Sequence, residues 1–310
     1  MREELQSRTA LELFAPAKVN LTLEVIGKRS DGFHEIRSVM TVIPLGDTVK
    51  IALNHKVSPE RGDEMIRLTS DQADLSCGPD NTCYKAALIM LEAFKSGGGR
   101  EVGVDIRIEK RIPLAGGLGG SSTDAAAVIR GLNRLLKLKM SRRQLLEYAA
   151  RVGSDAPFFI LGGMAFVSGR GERVLSLSGS ALPYALAIVL PGEKKWLAKD
   201  SYEQLPKDFF QGGKKNGKRI NLSKEITSAI KKGEMSAVPP LLHNDLELSK
   251  NTDIMYIEGI KRDLLMHGAI AALMSGSGPA VYGIFANNKT LAAAAKKLSV
   301  AHKIISLPFN

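Results

Sequence analysis

Short stretches of alternating hydrophobic and polar residues recur along the chain, and this period of two is typical of half-buried strands. The first such stretch, residues 9–26, predicts two short strands, and residues 33–43 and 48–53 predict the returning strands of an antiparallel meander. Further strands, some alternating and some continuously apolar, are predicted at residues 65–68, 102–109, 164–168, 186–190, 269–274, 281–285 and 303–307. Because residues 27–32 are Gly-Lys-Arg-Ser-Asp-Gly, we expect a turn after the first stretch.

Longer segments combine apolar positions with helix-capping residues, and these segments predict helices. They cover residues 81–94, 122–136, 142–151, 223–232, 253–267 and 289–298. Glycines at 97–99 end the first helix, and Ser141 caps the third. Residues 212–218 are rich in Gly and Lys and predict a mobile surface loop. Helices and strands occur in both halves, so the predicted fold class is α+β, with a domain boundary near Gly162.

A glycine-rich segment lies between a predicted strand and a predicted helix, and we call it the phosphate cradle. It consists of Pro113, Leu114, Ala115, Gly116, Gly117, Leu118, Gly119, Gly120, Ser121, Ser122 and Thr123. Glycines let backbone N–H groups approach a ligand, and the helix N-terminus that follows adds a positive dipole end. This order of elements predicts an anion site, which we interpret as a site for phosphate groups. The alternative is a glycine-rich turn that only starts a helix.

Two well-known phosphate loops are excluded by the residues of the cradle. A Walker A loop requires Lys directly after its last Gly, but the next Lys here is Lys137. A dinucleotide-binding fingerprint requires a third Gly, where Ser122 stands, and an acidic residue about 20 positions later. No acidic residue lies between Asp124 and Glu147. The cradle therefore belongs to a different class of phosphate-binding loop.

The charge balance of the chain favours an anionic ligand. Its 310 residues include 43 Lys and Arg against 32 Asp and Glu, a net charge of +11. Such an excess attracts nucleotides, phosphorylated metabolites or nucleic acids, although solubility alone is the alternative explanation. Aromatic residues make up 5% of the chain, and no basic run is interleaved with them. We therefore expect no single-stranded nucleic-acid platform and no nucleic-acid partner.

The sequence contains neither a metal-ligand pattern nor a membrane signal. Cys77 and Cys83 form no Cys-x-x-Cys pair and the 5 His are scattered, so we expect two reduced thiols and no zinc site. Residues 1–10 carry charges without an apolar stretch, and no apolar run approaches the length of about 18 residues that a transmembrane helix needs. We expect a cytoplasmic protein without a membrane partner. The length suits two domains or one large domain.

Three segments together resemble the signature motifs of the GHMP kinase superfamily. They are Pro-Ala-Lys-Val-Asn-Leu at 16–21, the cradle with its continuation to residue 127, and Met-Ser-Gly-Ser-Gly-Pro at 274–279. The resemblance covers nearly the whole chain and implies a kinase that phosphorylates a small-molecule hydroxyl with ATP. It also implies a two-domain fold, with a ribosomal-S5-domain-2-like ATP-binding domain at residues 1–162 and a ferredoxin-like C-terminal domain at residues 163–310.

A narrower resemblance points to one family among these kinases. Residues 27–34, 153–159 and 243–247 resemble motifs of the kinases of 4-(cytidine 5'-diphospho)-2-C-methyl-D-erythritol. This resemblance implies ATP-dependent phosphorylation of the substrate's 2-hydroxyl, with release of ADP, on the methylerythritol phosphate route to isopentenyl diphosphate. One position departs from the family pattern. Ser121 stands where a third consecutive Gly is usual, and its Cβ would restrict positive φ angles.

The resemblance assigns the catalytic roles to Lys18 and Asp155. Asp155 would accept the proton of the substrate hydroxyl, and Lys18 beside it would steady the negative charge that develops there. A neighbouring ammonium favours the ionised form of a carboxylate. The residue pattern alone leaves alternatives open for both. Asp155 before Pro157 is also typical of a helix N-cap, and Lys18 is also compatible with an ordinary exposed lysine.

The resemblance assigns ATP to the cradle. The N–H groups from Gly117 to Ser122 are expected to hold the β- and γ-phosphates. The hydroxyls of Ser122 and Thr123 are candidates for further phosphate contacts or for a contact to Mg²⁺. We expect Mg²⁺ to be bound mainly through phosphate oxygens, without a dedicated protein site. Asn81 and Lys85 are expected to border the adenine.

The resemblance also assigns contacts to the second substrate. Phe33 would stack on the cytosine, His34 would hydrogen-bond the base edge, and Asn20 would orient the methylerythritol hydroxyls. Trp196 is the candidate for a second aromatic wall. A third loop, formed by Gly276, Ser277 and Gly278, would close over the cradle and support the catalytic lysine. Without the resemblance, a core Phe, a solvated His and a tight strand-to-strand turn are the alternatives.

Two further functions remain open from the sequence. One is another GHMP small-molecule kinase, of the mevalonate or homoserine type, against which residues 27–34 argue. The other is a catalytically idle protein of the same fold that binds nucleotide or nucleic acid, against which the presence of Lys18 and Asp155 argues. For each function we expect a monomer or a weak homodimer.

Overall fold

The computed structural model describes residues 9–57, 64–177, 182–191, 198–206, 209, 221–249 and 254–309. The predictions for Trp196 and for the loop at 212–218 lie outside these residues. Helices and strands alternate along the rest of the chain, which confirms the α+β class. Among the described helices, none has both the length and the apolar character needed to cross a membrane.

The described chain forms strands β1 (Ala10–Lys28), β2 (His34–Asn54), β3 (Ile66–Ser70), β4 (Gly103–Glu109), β5 (Met164–Gly169), β6 (Arg173–Leu177), β7 (Ala185–Leu190), β8 (His243–Asn244), β9 (Ala271–Met274), β10 (Val281–Phe285) and β11 (Lys303–Leu307). Its helices are α1 (Thr82–Ser96), α2 (Gly120–Leu135), α3 (Arg142–Val152), α4 (Ala156–Leu161), α5 (Ala198–Glu203), α6 (Leu222–Lys232), α7 (Ile254–Met266) and α8 (Asn288–Leu298). Short 3₁₀ turns occur at Met235–Ala237, Pro239–Leu241 and Asp245–Leu248.

The first two strands are longer than the sequence predicts. β1 is a single strand of 19 residues and β2 a single strand of 21 residues, where two shorter strands each were expected. The expected breaks fell within residues 14–20 and between residues 43 and 48. These segments contain Pro16 and Gly46, and Pro and Gly are both unfavourable inside strands. Gly46 instead lies directly against Phe14, where a Cβ would come within 2.4 Å of the ring. The missing side chain of Gly46 makes room for the Phe14 ring, so this glycine serves close packing inside a continuous strand and does not end it.

The first compact unit comprises the described parts of Met1–Ala17, Leu45–Ile112 and Gly119–Leu161. In it β3 pairs with β4 in parallel and β4 pairs with β2 in antiparallel fashion. Residues of α1 to α4 share one buried apolar cluster with these strands, and this cluster includes Met90, Ile106 and Ile129. The cluster holds α2, whose start is the second half of the cradle.

The second compact unit comprises Lys18–Pro44, Pro113–Leu118 and the described parts of Gly162–Asn310. In it β2 pairs with β5 and β5 with β6, both antiparallel, and the short β8 pairs in parallel with β1. A separate antiparallel sheet has the strand order β11-β7-β10-β9, and α7 and α8 pack against it. This unit holds the first half of the cradle and the third loop.

Side-chain caps account for several helix starts. Asn81 accepts the N–H of Cys83 at the start of α1, and Ser141 and Gln144 form a capping box at α3. The short helices α4 and α5 were not predicted. Each has 6 residues, and so short a segment shows no helical period in the sequence.

Candidate active site

One side of β1 is polar although it is buried. Because alternate residues of a strand face the same side, Lys18, Asn20, Thr22 and Glu24 share a face, and each is at most 3% exposed. Buried polar groups need partners, and the Lys18 amine donates to Asn20 Oδ1 at 2.6 Å while Asn20 Nδ2 donates to Ser38 Oγ at 2.8 Å. Lys18 is therefore not an ordinary exposed lysine, and its catalytic role stays a prediction.

The third loop lies against the first half of the cradle, within the second unit. Gly117 has φ 72, and a Cβ there would lie 2.3 Å from the carbonyl oxygen of Ser275. The Ser275 hydroxyl donates to the Gly117 carbonyl at 3.0 Å, and the Ala280 N–H donates to the Gly116 carbonyl at 3.2 Å. These contacts agree with the expected approach of the third loop to the cradle.

The same loop also lies next to the Lys18 amine. Gly276 has φ 58, and a Cβ there would lie 2.9 Å from Lys18 Nζ and 3.1 Å from the Gly117 carbonyl oxygen. The backbone N–H of Lys18 donates to the Leu118 carbonyl at 2.9 Å. Lys18, Asn20, the cradle residues Gly117 and Leu118, and Gly276 therefore come together in one place.

Side chains from two other elements hold the third loop. Asn244 Nδ2 donates to the carbonyls of Met274 and Gly276, at 2.9 and 2.7 Å. The Ser201 hydroxyl, on α5, donates to the Ser277 carbonyl at 3.1 Å. Asn244 belongs to the 243–247 motif, to which sequence reasoning assigned no structural role. In the fold, the Asn244 side chain holds this loop in place through these two hydrogen bonds.

An aromatic group lies at the turn between β1 and β2. Phe33 is 48% exposed, and the Arg170 guanidinium lies 5.0 Å from its ring centroid. His34 stacks on Tyr202 of α5, with ring centroids 5.1 Å apart and planes at 24°. Burial, with Lys28 nearby, lowers the pKa of His34, so its imidazole is biased towards the neutral form. Phe33 therefore contacts a cation, and His34 contacts a second aromatic ring.

Tyr202 is a candidate substrate residue that sequence reasoning missed. The expected second wall, Trp196, lies outside the described residues. The available signal was a single aromatic residue in the otherwise polar segment 199–204, Lys-Asp-Ser-Tyr-Glu-Gln. The sequence does not connect that segment with His34, because the two are far apart along the chain and only the folded structure stacks their rings.

The second half of the cradle starts α2 earlier than predicted. The helix begins at Gly120 rather than Ser122, with Gly119 as its N-cap at φ 77 and no side-chain cap. Ser121 lies inside the first turn of α2, where its φ is not positive, so its Cβ is compatible with the backbone at this position. Its carbonyl accepts the Thr82 hydroxyl at 2.9 Å. Without a capping side chain, the first N–H groups of α2 remain for a ligand.

The cradle residues differ in exposure and conformation. Leu118 is buried and Leu114 is exposed, and Ala115 adopts φ 53, which is uncommon for a residue with a Cβ. Thr123 is buried, and its hydroxyl has no hydrogen-bond partner among the described residues. Ser122, also in the first turn of α2, is half-buried.

The remaining predicted residues lie in the first unit. Asn81 uses its side chain to cap α1 and to donate to the Ser76 carbonyl at 2.6 Å, and Lys85 is exposed on the same helix. Asp155 lies directly before α4, where its carbonyl accepts the Phe158 N–H at 3.1 Å. A Cβ on Gly153 would lie 3.7 Å from Ser122 Oγ. The chain leading to Asp155 therefore passes close to the first turn of α2.

Two family models match the chain. The model for the GHMP kinases N terminal domain matches residues 81–163, and the model for the GHMP kinases C terminal domain matches residues 226–303. A crystal structure of 4-(cytidine 5'-diphospho)-2C-methyl-D-erythritol kinase has a TM-score of 0.72 at 29% identity, and the match covers 96% of this chain and 98% of the other. A homoserine kinase from Cytophaga hutchinsonii has a TM-score of 0.71 at 20% identity, covering 98% and 96%, and shows the shared fold alone.

Curated relatives match at higher identity. The 4-diphosphocytidyl-2-C-methyl-D-erythritol kinase of Alkaliphilus metalliredigens is 35% identical over 293 residues, or 94% of each chain. The protein of the same name from Caldicellulosiruptor saccharolyticus is 37% identical over 295 residues, or 95% of each chain. With an N-terminal and a C-terminal family model matched and relatives aligned over 94–95% of their length, the chain belongs to the GHMP kinases and, among them, to the 4-diphosphocytidyl-2-C-methyl-D-erythritol kinase family.

Proposed function

We propose that this chain transfers the γ-phosphoryl group of ATP to the 2-hydroxyl of 4-(cytidine 5'-diphospho)-2-C-methyl-D-erythritol. The observation that carries the proposal is the similarity to relatives of that name, at 35% and 37% identity over 94% and 95% of the chain. The buried amine of Lys18, next to Asn20 and to the glycines of two loops, supports it. Because this lysine is buried and closely surrounded, its ammonium group is held in a defined position.

In this mechanism the chain mainly positions groups and stabilises charge. The free N–H groups at the start of α2 and in the cradle bind the phosphates of ATP. Asp155 accepts the proton of the attacking hydroxyl, and Lys18 stabilises the oxygen as it becomes negative. Asn20 holds the Lys18 amine through its Oδ1 and is itself fixed by Ser38, so the amine has a defined position.

The donor set fits a Mg²⁺ ion that arrives with ATP. Among the described residues, no three His, Cys, Asp or Glu side chains come together as a cation site. Mg²⁺ commonly keeps several waters and takes one or two protein ligands beside the phosphates, and it would neutralise phosphate charge during transfer. We propose that the hydroxyls of Ser122 and Thr123 are its nearest protein oxygens. The buried Thr123 hydroxyl, which has no hydrogen-bond partner in the part of the chain that the structure describes, supports this choice.

A coupled assay of ADP release tests the proposed function. With ATP and Mg²⁺ present, ADP should form only when the cytidine substrate is added, and mevalonate or homoserine should give no release above background. The product should carry a phosphate on the 2-hydroxyl, which phosphorus NMR identifies. Turnover of homoserine or mevalonate in place of the cytidine substrate would contradict the proposal, and so would salt-dependent RNA binding without turnover.

Replacement of Tyr202 by Ala should weaken binding of the cytidine substrate. Stacking of a base on an aromatic ring contributes about 1–3 kcal/mol, which corresponds to an increase in KM of about 5- to 150-fold. The expected increase affects the cytidine substrate and leaves the KM for ATP unchanged. Steady-state kinetics with each substrate varied in turn make the measurement, and Tyr202→Phe, which keeps the ring, is the matched control. Equal KM values for Tyr202→Ala and Tyr202→Phe would exclude a stacking role.

Two proposals concern the organisation of the protein. We propose the boundary between the ATP-binding and C-terminal domains at residues 162 and 163, where two successive glycines have φ 67 and 66. We also propose a monomer or weak homodimer in the cytoplasm.

A further inference from the structure

A buried cluster of one lysine and two aspartates joins the two ends of the phosphate cradle. Lys110 directly follows β4 and precedes the cradle, Asp124 lies in α2 after it, and Asp47 lies on β2. Their exposed fractions are 5%, 2% and 0%. Lys110 Nζ donates to Asp124 Oδ2 at 2.7 Å and also to Asp47 Oδ2. All three residues belong to the first unit, and the sequence assigned none of them a role in ligand binding.

The cluster fixes the backbone that enters the cradle. Asp47 Oδ1 accepts the N–H groups of Arg111, at 2.5 Å, and Ile112, at 2.8 Å. Asp71 Oδ1 accepts the N–H of Lys110 at 2.8 Å. Three successive N–H groups after the end of β4 are therefore bound by carboxylates, whereas a strand end commonly leaves such donors to water. The position of this segment is set by charged hydrogen bonds, which are stronger than neutral ones.

On the other side of the cradle, the Lys110 amine lies beneath the start of α2. A Cβ on Gly120 would lie 3.2 Å from Lys110 Nζ and 3.3 Å from Ile112 Cγ2. Asp124 is bound through Oδ2, and its Oδ1 is buried without a hydrogen-bond partner among the described residues. The contact with Lys110 is thus the one that ties the Asp124 side chain to the strand end.

The charge of Lys110 also governs the protonation of Asp124. Burial raises the pKa of Asp124 to about 7, with Lys110 opposing the increase and Asp47 adding to it. Without the Lys110 cation the pKa of Asp124 would rise further, so this carboxyl would take up a proton and its charged bond to the strand end would be lost.

We propose that Lys110 is a positioning residue for nucleotide binding. By holding Asp47 and Asp124 together, its amine sets the spacing between the strand end and the α2 N-terminus, so that the helix N–H groups stand where the ATP phosphates bind. The inference rests on the proposed function for the identity of its ligand, ATP. A residue with a merely structural role would lower the stability of the protein and leave the affinity of the folded protein for ATP unchanged.

The test compares Lys110→Met and Lys110→Arg with the control Lys50→Met. Lys50 lies on β2 of the same unit, but its side chain is 42% exposed, and it pairs with Glu109 at 2.7 Å. Calorimetry measures the Kd for ATP and, separately, for cytidine 5'-diphosphate, on protein shown to be folded by circular dichroism. We expect Lys110→Met to raise the Kd for ATP by about tenfold or more, since small displacements of positioning groups have effects of this size or larger. The Kd for cytidine 5'-diphosphate should not change.

Steady-state kinetics give the second readout. Lys110→Met should raise the KM for ATP by a larger factor than it lowers kcat at saturating ATP, and Lys110→Arg, which keeps the cation, should restore part of the affinity. The control Lys50→Met should bind ATP as the parent protein does. An unchanged Kd for ATP in folded Lys110→Met would overturn the inference, and so would an equal loss of affinity for both nucleotides.

If Lys110→Met does not fold, Lys110→Arg and Asp124→Asn decide the question. Asp124→Asn preserves the shape of the side chain and removes its charge, so we expect a raised Kd for ATP with an unchanged Kd for cytidine 5'-diphosphate. An unchanged Kd for ATP in both variants would overturn the inference. Because binding is measured without turnover, a parent protein that binds ATP but does not phosphorylate the cytidine substrate would refute the proposed function and leave this comparison valid.

Discussion

Replacement of Asp155 by Asn is expected to lower kcat for phosphorylation of the cytidine substrate by about 10²–10⁴-fold, the range that general-base catalysis contributes. The amide keeps the shape of the side chain but has a negligible ability to accept a proton. Because Asp155 is assigned to proton transfer and not to nucleotide binding, the Kd for ATP should stay unchanged. Quenched-flow or coupled assays of ADP formation, together with calorimetry for ATP, measure the two quantities.

Asp105→Asn is the matched control for this variant. Asp105 is an aspartate of the same unit, placed on β4 and paired with Arg67 at 2.9 Å on the exposed side of that strand. Its replacement should leave kcat unchanged, because an exposed ion pair contributes about 0–1 kcal/mol to stability and has no part in the reaction. If Asp155→Asn retained the kcat of Asp105→Asn, Asp155 would be a helix-capping residue and the base would have to be sought elsewhere.

Gly117→Ala should have the second large effect, because two independent features of the position exclude a side chain. The residue has φ 72, and the left-handed conformation costs an L-residue about 1–2 kcal/mol. In addition, the new Cβ would lie 2.3 Å from the Ser275 carbonyl oxygen, which belongs to backbone and cannot swing aside. The third loop and residues 116–118 would have to separate, and Gly276, beside the Lys18 amine, would move with the loop.

The expected result for Gly117→Ala is a loss of kcat/KM of about 100-fold, the effect that a displacement of about 1 Å can have on a catalytic group. Gly116→Ala offers a control in the adjacent position of the same loop. A Cβ there would be 3.5 Å from its nearest neighbour, the Pro113 carbonyl oxygen, which is ordinary contact. Steady-state kinetics of both variants make the comparison. Equal losses in the two would show that a Cβ anywhere in the cradle is harmful and that the contact with Ser275 is not the cause.

Local chemistry explains why the sequence predicted many of the elements. α3 begins directly after its predicted cap, Ser141, and α1 begins within one residue of its predicted start at Asn81, because a cap acts on N–H groups within three residues of itself. The start of α2 was wrong by two residues. There the helix is capped by Gly119 without a side-chain bond, and the space beneath Gly120 is taken by Lys110 and Ile112 from the preceding strand end. Lys110 and Ile112 lie outside the few residues on which a capping prediction depends.

The candidate site likewise contains residues that lie in contiguous motifs and residues whose partners are distant in sequence. The Gly-rich cradle was predicted from its own residues, and the resemblance of contiguous motifs to a known family supplied Lys18, Asp155, Phe33 and His34 as candidates. Neither indicated Tyr202, Asn244 or the Lys110 cluster. These side chains act through partners that are distant in sequence: Tyr202 stacks on His34, Asn244 bonds the Gly276 carbonyl, and Lys110 bonds Asp47.

By itself, the sequence determined the α+β class, the family and the glycine-rich loop, because periodicity, capping residues and contiguous motifs depend on neighbours along the chain. Only the tertiary structure decided that the polar side of β1 is buried with Lys18 on it, that glycine is required at 117 and 276, and that a buried lysine joins both ends of the cradle. The physical reason is that burial, close backbone approach and the pairing of buried charges are properties of residues brought together from distant parts of the chain.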